Sequence, residues 1–533
     1  MSAPFRPWFR LAPAILLSLA LGATAPRAEV ALTAFRLAVA EASATDAAMA
    51  AFYRERGFDG IWTGPEAADR RNALLAVLAQ AEAHGLPQGR YDPAAVIAML
   101  HAADTTLEQG QAEVALTRLF LDYAHDVKSG VLDPRRIDAN LHREVIRAEA
   151  GVLLAGFIAA EPRGFLRDLA PHSAEYARLM AAKQRLDARI ADGGWGPTVG
   201  AGALEPGESG AQVVALRDRL VAMGYLAPTP TRTYDDAVTA SVRAAQAGFG
   251  LNVDGVAGAA TIDALNVAPE LRLESVIVAM ERERWLGDDR GERHVWVNLA
   301  DFTAAIVDQD RVTFRTRSVI GAVREGRESP EFSDVMEFMV INPSWYVPRS
   351  IIVNEYLPAL QRNASAVGHM RITDSSGREI NRGSVNFGAY NARNFPFAMR
   401  QPPSPSNALG VVKFMFPNPY DIYLHDTPSR DLFAHEVRAY SHGCIRLQNP
   451  REFAYVLLAR QTDDPEGFFA ARLATGDETR VNLAVPIPVH IDYRTAFTDV
   501  TGALQFRADI YGRDAGIWDA LVAEGVAGPQ FSG

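Results

Sequence analysis

Hydrophobic residues recur at helical intervals through the first two hundred positions. In RRNALLAVLAQAEAHGL the apolar side chains lie on one helical face and a glycine marks the expected helix end: Leu74, Leu75, Leu78, Ala81 and Gly85. EVALTRLFLDYAHDVKSG, residues 113–130, repeats this spacing. No cluster of catalytic or metal-binding side chains stands out here. We therefore predict a helical scaffold domain over residues 29–204.

A compact helical unit follows a linker rich in glycine and proline at residues 191–210. Residues 210–226 and 234–251 each place apolar side chains on one helical face. A turn at Asn252-Val253-Asp254-Gly255 then leads into VAGAATIDALN. The pattern predicts a three-helix module over residues 205–267. At about sixty residues it is near the lower size limit for an independent core.

This module resembles the common peptidoglycan-binding module of cell-wall enzymes. The glycines, the apolar positions and a D-G-x-x-G-x-x-T turn carry the match: Gly210, Val213, Leu216, Leu220, Gly224, Tyr225, Phe249, Asp254, Gly255, Gly258, Thr261 and Leu265. A module that has lost its ligand and acts as a spacer is the alternative, since fold does not imply function.

After about Arg272 the hydrophobic period changes from helical to alternating. HVWVNL alternates, AAIVDQDRVTFRT predicts a hairpin around Asp308-Gln309-Asp310, and VMEFMVI predicts another strand. These segments predict a β-meander. An irregular stretch follows, with a helical piece at SIIVNEYLPAL, before strands return at GVVKFMF and YDIYLHDT.

This order predicts a mainly-β domain over residues 268–490, with an insertion at about 348–407 and a C-terminal extension over residues 491–533. We expect the insertion to be a mobile cap above the candidate site. The RQPPSPSN loop would be its hinge, and Trp345, Tyr346 and Tyr356 would supply apolar contact area. The predicted fold class is multidomain α+β, consistent with 533 residues.

The N-terminus has the pattern of an export signal. Arg6 and Arg10 precede an apolar core at residues 11–21, and Ala23-Thr24-Ala25 is a small-residue exit. We predict a signal peptide over residues 1–28, cleaved after Ala25 or Ala28, and export to the periplasm. An uncleaved anchor is the alternative. Loss of this segment, with its three arginines, would change the formal net charge from −11 to about −14. Such a charge opposes binding to nucleic acid or anionic membranes.

YSHGCIRL contains Cys444, the only cysteine of the chain. A single cysteine cannot form an intramolecular disulfide, and a lone one is often buried and inert. Here His425, in YLHDT, lies 19 residues upstream, enough for the chain to leave a strand and return beside it. A neighbouring imidazole can take the proton of a thiol and produce a nucleophile without a metal. His425 is the better base because a strand fixes its ring and a backbone carbonyl can hold its other nitrogen.

The residues around the cysteine suggest further roles. The N–H groups of Gly443 and Cys444 can point at a developing oxyanion. Arg446 is either a surface charge or a bidentate ligand for a substrate carboxylate. Zinc binding by His425, His435 and His442 is disfavoured because they lack the i, i+4 spacing of helical pairs. We therefore expect no metal and no cofactor.

S-H-G-C-x-R with an upstream Tyr-x-His-Asp-Thr resembles the signature of L,D-transpeptidases with a YkuD-type catalytic domain. NALGVVKFMFPNPYDIYLHDTP, AYSHGCIRLQNP, INPSWYVP and DIYGRD are similar to the large Gram-negative subgroup. That subgroup has a helical scaffold, a peptidoglycan-binding module and a capping insertion, in the order predicted above.

The resemblance implies a reaction. Cys444 would attack the amide between the third residue of a peptidoglycan tetrapeptide stem, usually a diaminopimelate, and the terminal D-alanine. D-Alanine would leave, and an amine of a neighbouring stem would resolve the thioester into a 3→3 cross-link. His425 would be the general base and acid. The other implied site residues would line or support the substrate site: Tyr423, Asp426, Ser441, His442 and Arg446.

The resemblance also implies partners, namely peptidoglycan stem peptides and, through the scaffold, cell-wall synthesis proteins.

Three alternative functions stay open. Water could resolve the thioester, giving an L,D-carboxypeptidase or a peptidase that cuts cross-links. A non-catalytic wall-binding protein is the third, although it would tolerate loss of Cys444 or His425 and both are present. Papain-like hydrolases are disfavoured because they place cysteine before histidine.

Overall fold

The computed structural model describes residues 34–200 and 202–528, a helical region followed by a mainly-β region. The predicted multidomain α+β class is confirmed. The predicted signal peptide lies outside the described residues. Within the described ranges, none of the helices combines the length and apolarity needed to cross a bilayer.

The helical region begins with eight α-helices: α1 (Ala34–Ser43), α2 (Ala47–Glu55), α3 (Ala68–Leu78), α4 (Pro93–Ala102), α5 (Thr106–Ser129), α6 (Ala150–Ala159), α7 (Pro162–Arg167) and α8 (Ala174–Ala191). The helix predicted to end at Gly85 ends earlier, at Leu78. The N–H groups of Gln80 and Ala81 donate to carbonyls only three residues earlier. The α-helix is therefore followed by turns. Gly85, with φ of +66°, ends those turns.

The three-helix module is present as predicted, with α9 (Ala211–Ala222), α10 (Asp236–Phe249) and α11 (Ala259–Asn266). Buried Gln246 explains the D-G-x-x-G-x-x-T turn. Its side-chain oxygen accepts from the Gly255 N–H, and its amide donates to the Asp254 carboxylate and the Thr261 hydroxyl. The turn is therefore fixed from inside the module.

Helix α12 (Pro269–Leu286) connects the two regions and is buried along most of its length. One hydrophobic core includes α12 together with residues of α8, the three-helix module and the C-terminal segment. Buried Arg282 of α12 pairs with Glu331 and Asp514, both outside the helical region. The helical region is thus attached to the β region by shared apolar packing and buried ion pairs.

The described strands are β1 (Arg293–Asn298), β2 (Thr303–Asp308), β3 (Arg311–Gly321), β4 (Phe332–Ile341), β5 (Trp345–Tyr346), β6 (Arg371–Thr373), β7 (Ala398–Gln401), β8 (Val412–Met415), β9 (Leu424–His425), β10 (Ala439–Ser441), β11 (Ile445–Leu447), β12 (Thr479–Asp492), β13 (Ala496–Thr498) and β14 (Leu504–Phe506). Nine of them form a sheet in the order β10-β3-β11-β9-β8-β4-β12-β1-β2. Because β2 also pairs with β3, this sheet closes on itself.

The predicted meander is correct only for β1 to β3. The β2–β3 hairpin turns at Gln309 and Asp310, which both have positive φ, as the mirror-image turn of a tight hairpin requires. However, β1 pairs with β12 and β9 with β11 in parallel. Parallel neighbours need long connections, which a meander lacks.

The insertion is a small folded unit rather than an irregular stretch. Its sheet has the order β5-β7-β6 and therefore includes Trp345 and Tyr346, just before the predicted start. Helices α13 (Arg349–Ile351) and α14 (Leu357–Arg362) flank a π-helical turn at Ile352–Tyr356, as the helical pattern in SIIVNEYLPAL predicted. The unit has its own core, separate from that of the main sheet.

Three further helices complete the chain: α15 (Pro450–Leu458), α16 (Pro465–Leu473) and α17 (Arg513–Ala523). The DIYGRD segment joins α17 to the main sheet. The Asp509 carboxylate accepts the N–H groups of Asp514 and Ala515, and the Tyr511 hydroxyl donates to the Gly321 carbonyl at 2.6 Å. The C-terminal segment thereby contacts the end of β3, close to the cysteine loop.

Candidate active site

Strand register places the candidate residues on one face of the sheet. Strands β9 and β11 run in parallel, with Leu424 opposite Ile445 and His425 opposite Arg446. Successive side chains of a strand point to opposite faces. Leu424 and Ile445 are fully buried in the core of the main sheet. His425 and Arg446 therefore project from the other face.

Cys444 and Tyr423 precede these pairs and lie next to each other. The Ile445 N–H donates to the Tyr423 carbonyl at 3.1 Å, and the side chains of Tyr423 and Cys444 are hydrogen-bonded. The thiol also donates to the Asp421 carbonyl at 3.5 Å. The Tyr423 ring lies 5.5 Å from the His425 ring, centroid to centroid. The thiol, the imidazole and a phenol therefore share one surface.

The loop before the cysteine is fixed by its own hydrogen bonds. The Ser441 hydroxyl donates to the Cys444 carbonyl at 2.6 Å and accepts from the Gly443 N–H at 3.1 Å. The Ser329 hydroxyl donates to the Gly443 carbonyl at 2.6 Å. Gly443 has φ of +114°, a conformation that favours glycine. Ser441 thus holds the loop that carries Cys444, and its role beside a substrate stays a prediction.

The predicted oxyanion role of Gly443 does not match this geometry, because its N–H is already bonded to Ser441. The N–H of Cys444 has no hydrogen-bond partner in the described part of the chain. Of the two predicted backbone donors, Cys444 is therefore the one free to bind a developing oxyanion.

His425 is held in one orientation by a backbone carbonyl. Its Nδ1 bonds to the Asp426 carbonyl, as the sequence predicted, so Nε2 keeps the free lone pair. Burial, with the positive charges of Arg446 and Lys413, lowers the pKa of His425 to about 3. Burial raises the pKa of the Cys444 thiol to about 11. In this conformation both groups are neutral at pH 7.

The Asp426 side chain serves the fold rather than a substrate. Its carboxylate accepts from the Val411 N–H at 2.9 Å and pairs with Arg430 at 3.2 Å. These contacts hold the start of β8 against the end of β9. The carboxylate therefore already has partners, and its contact with substrate stays a prediction. The Asp426 carbonyl orients His425.

His442 connects the cysteine loop to the insertion. Its Nε2 lies 2.6 Å from Glu355 Oε1, and Arg327 Nη2 lies 2.6 Å from the same oxygen. Glu355 belongs to the π-helical turn of the insertion. His442 was predicted to contact substrate, but its ring is engaged by the insertion. His435, the third histidine of the zinc alternative, contacts the Tyr440 ring instead.

A cavity of about 180 Å³ lies between the insertion and the sheet. Trp345, Tyr356 and Gln401 line it from the insertion, and Arg446 lines it from β11. The Nε of Arg446 is buried and has no hydrogen-bond partner in the described residues. The guanidinium is thus available to an anionic group that enters the cavity, in keeping with the carboxylate-binding prediction.

Three site residues were missed by the sequence reasoning. Lys413 lies directly opposite His425 in the β8–β9 register, Ser329 holds Gly443, and Asp421 accepts the thiol. A lysine within the apolar strand GVVKFMF was a visible signal for the first. Nothing local in the sequence indicates the other two, whose roles depend on contacts between distant segments.

The described residues contain no group of three or more His, Cys, Asp or Glu that could hold a metal ion.

Family models match three parts of the chain. They are a "Scaffold domain" at residues 47–182, a "Putative peptidoglycan binding domain" at 209–265 and an "L,D-transpeptidase catalytic domain" of the YkuD type at 292–481. A Haemophilus influenzae protein named "Putative L,D-transpeptidase" is 28% identical over 239 residues. The match spans 43% of this chain and 47% of that relative.

Two solved L,D-transpeptidase structures are also similar to this chain. The one from Xylanimonas cellulosilytica is 17% identical, with a TM-score of 0.17 over 56% of this chain and 98% of its own. The one from Stackebrandtia nassauensis is 13% identical, with a TM-score of 0.22 over the same shares. The family models confirm the predicted recognition of three domain types in this chain.

Proposed function

We propose that this chain, which carries an L,D-transpeptidase catalytic domain beside a peptidoglycan-binding domain and a scaffold domain, forms 3→3 cross-links in peptidoglycan. The observation that carries the proposal is the shared sheet face of Cys444, His425 and Tyr423 beneath the insertion. A nucleophile, a base and a cavity for an anionic peptide lie together there.

In the proposed acylation step, Nε2 of His425 takes the thiol proton and Cys444 attacks the carbonyl of the stem's third residue. The N–H of Cys444 stabilises the oxyanion. The His425 imidazolium then protonates the departing nitrogen, so D-alanine leaves as an amine and a thioester remains. The Asp426 carbonyl keeps the ring oriented throughout.

The acceptor decides between the candidate activities. An amine of a second stem gives the cross-link, whereas water gives a shortened stem and makes the protein an L,D-carboxypeptidase. In this proposal the insertion favours the first outcome by restricting water, because its Trp345 and Tyr356 form part of the cavity wall beside Arg446. The two wall-related domains support a periplasmic location and peptidoglycan stems as the substrate.

Product analysis tests this proposal. Purified protein is incubated with disaccharide-tetrapeptides, and the products are identified by mass spectrometry. We expect a protein adduct at Cys444 of the mass of the acyl stem, free D-alanine, and dimeric muropeptides joined 3→3. Tripeptide stems without dimers would instead establish the carboxypeptidase. Absence of any adduct or released D-alanine would exclude both activities.

Replacement of Glu355 by glutamine is expected to raise the ratio of hydrolysed to cross-linked product about threefold to tenfold. The change weakens charge-assisted hydrogen bonds from the insertion to His442 of the cysteine loop and to Arg327 between β3 and β4. Opening the insertion admits water to the thioester. The ratio is measured by chromatography of tripeptide and dimer. Glu379→Gln, an exposed carboxylate elsewhere in the insertion, is the matched control.

The contact of Glu355 should persist in mild acid. Although burial acts in the opposite direction, His442 and Arg327 lower the pKa of Glu355 below its ordinary value of 4.5. A carboxylate with a lowered pKa keeps its stabilising contact above that ordinary value and loses it only as the pH falls through the lowered pKa.

An unchanged product ratio in Glu355→Gln, with activity retained, would show that this contact does not control water access.

A further inference from the structure

A row of side chains crosses the main sheet through the candidate base. Strand register places Arg480 opposite Val340, Val340 opposite Lys413, Lys413 opposite His425, and His425 opposite Arg446. Residues in register on neighbouring strands project from the same face. His425 is therefore flanked directly by two cationic side chains, Lys413 on β8 and Arg446 on β11.

Neither flanking cation forms an ion pair with a carboxylate, although Glu478 acts on Lys413 from a longer distance. No ion pair joins Lys413 or Arg446 to an acid in the described part of the chain. The Lys413 ammonium lies 5.8 Å from the centre of the Tyr423 ring, and its side chain is half-buried. The Arg446 Nε is buried without a partner. Partly desolvated charges of one sign are costly unless an opposite charge joins them.

The positive potential of the pair reaches the base. After the larger effect of burial, Arg446 and Lys413 are the charged groups that lower the pKa of His425. The nearest carboxylate in the sequence, Asp426, is occupied by Val411 and Arg430. Glu478 acts on Lys413 without forming an ion pair with it. A carboxylate in direct contact with either cation is therefore left to a ligand.

We propose that Lys413 is a second carboxylate-binding residue, so that with Arg446 the site recognises a peptide bearing carboxylates on both sides of the scissile amide. This inference rests on the proposed function, since a stem ending in diaminopimelyl-D-alanine has that charge pattern. The two cations lie on either side of His425, and Cys444 lies beside the same row. A substrate held at both ends would present its amide between them, over the base and the thiol.

Protection of the thiol from alkylation tests the inference without requiring turnover. Iodoacetamide, a small neutral reagent, labels Cys444 in the full-length protein. The competitor is a tetrapeptide analogue, L-alanyl-γ-D-glutamyl-diaminopimelyl-D-alanine with a ketomethylene group in place of the scissile amide. It keeps both flanking carboxylates and cannot release D-alanine. The same analogue with its diaminopimelate and D-alanine carboxylates amidated is tested beside it. The concentration that halves the labelling rate is measured for wild type, Lys413→Met, Lys413→Arg and Arg480→Met. Arg480→Met removes a charge from the far end of the same row and is the matched control.

Loss of one charge-assisted hydrogen bond should raise the half-protecting concentration about tenfold to a hundredfold in Lys413→Met. Amidation of the analogue should weaken protection of wild type by at least as much. Lys413→Arg and Arg480→Met should stay within about threefold of wild type. Equal protection of wild type and Lys413→Met, or no protection of wild type at millimolar analogue, would overturn the inference.

A different result would contradict the proposed function itself, namely that wild type forms no acyl-enzyme with a tetrapeptide stem. With such a stem, the Lys413→Met variant should show a raised KM and a smaller change in kcat, because the lysine binds substrate and transfers no proton.

Discussion

Replacement of Cys444 by alanine is expected to lower the acylation rate by roughly 10⁴-fold to 10⁶-fold, the range found when acyl-transfer enzymes lose their nucleophile. The chain contains no other cysteine that could replace it. Because the side chain is small and only partly buried, the free energy of unfolding should change by about 1 kcal/mol or less. Intact-protein mass spectrometry after incubation with a tetrapeptide stem measures the adduct.

Cys444→Ser serves as the matched variant. It keeps a hydrogen-bonding atom near Tyr423 and the Asp421 carbonyl but replaces the thiol with a poorer nucleophile. We expect it to bind stems and sacculi like wild type and to form no thioester. If folded Cys444→Ala still released D-alanine and produced 3→3 dimers, Cys444 would not be the nucleophile.

Replacement of His425 by glutamine is expected to lower the acylation rate about 10²-fold to 10⁴-fold, which is the usual contribution of a general base. In the proposed mechanism the imidazole Nε2 accepts the thiol proton, and glutamine cannot replace it as a base. Pre-steady-state mass spectrometry of the adduct gives the rate. His435→Gln is the control, because that histidine contacts Tyr440 away from the row through His425.

The free protein should behave differently from the substrate complex. With the pKa of Cys444 raised to about 11 and that of His425 lowered to about 3, neither group is charged at pH 7. Alkylation by iodoacetamide should therefore rise with pH up to about 11, and His425→Gln should leave that profile nearly unchanged. A plateau below pH 8 that disappears in His425→Gln would show a thiolate–imidazolium pair already formed in the free protein.

The pH also affects stability through this histidine. Its folded-state pKa is depressed below the ordinary value of 6.5. The unfolded chain therefore binds a proton before the folded protein does. The stabilising contribution is fully present above pH 6.5 and is lost as the pH falls toward about 3.

Local chemistry made the central site residues predictable. A lone thiol in SHGC and a histidine in YLHDT have reactivities that depend mainly on residue type, so Cys444 and His425 could be selected from the sequence. Even the carbonyl partner of His425 followed from its position on a strand. Hydrophobic period likewise predicted the helix Thr106–Ser129, the β2–β3 hairpin and the three-helix module, because each depends on contacts between near neighbours.

Only the tertiary structure decided which polar groups are already occupied. Asp426 looked available beside His425, yet its carboxylate is bonded to Val411 and Arg430. The Gly443 N–H looked available for an oxyanion, yet Ser441 accepts it. His442 looked ready for substrate, yet Glu355 binds it. A residue's hydrogen-bonding capacity can be read from its type, but the partner that occupies it cannot.

The sequence by itself determined the reactive groups, the α+β class and the order of the helical and β segments. Register between strands distant in the chain then brought Lys413, His425 and Arg446 into one row, and it closed the sheet through β2 and β3. Packing of the insertion set the cavity above Arg446. The physical reason is range: period and reactivity are encoded locally, whereas strand register and the pairing of buried charges depend on the whole fold.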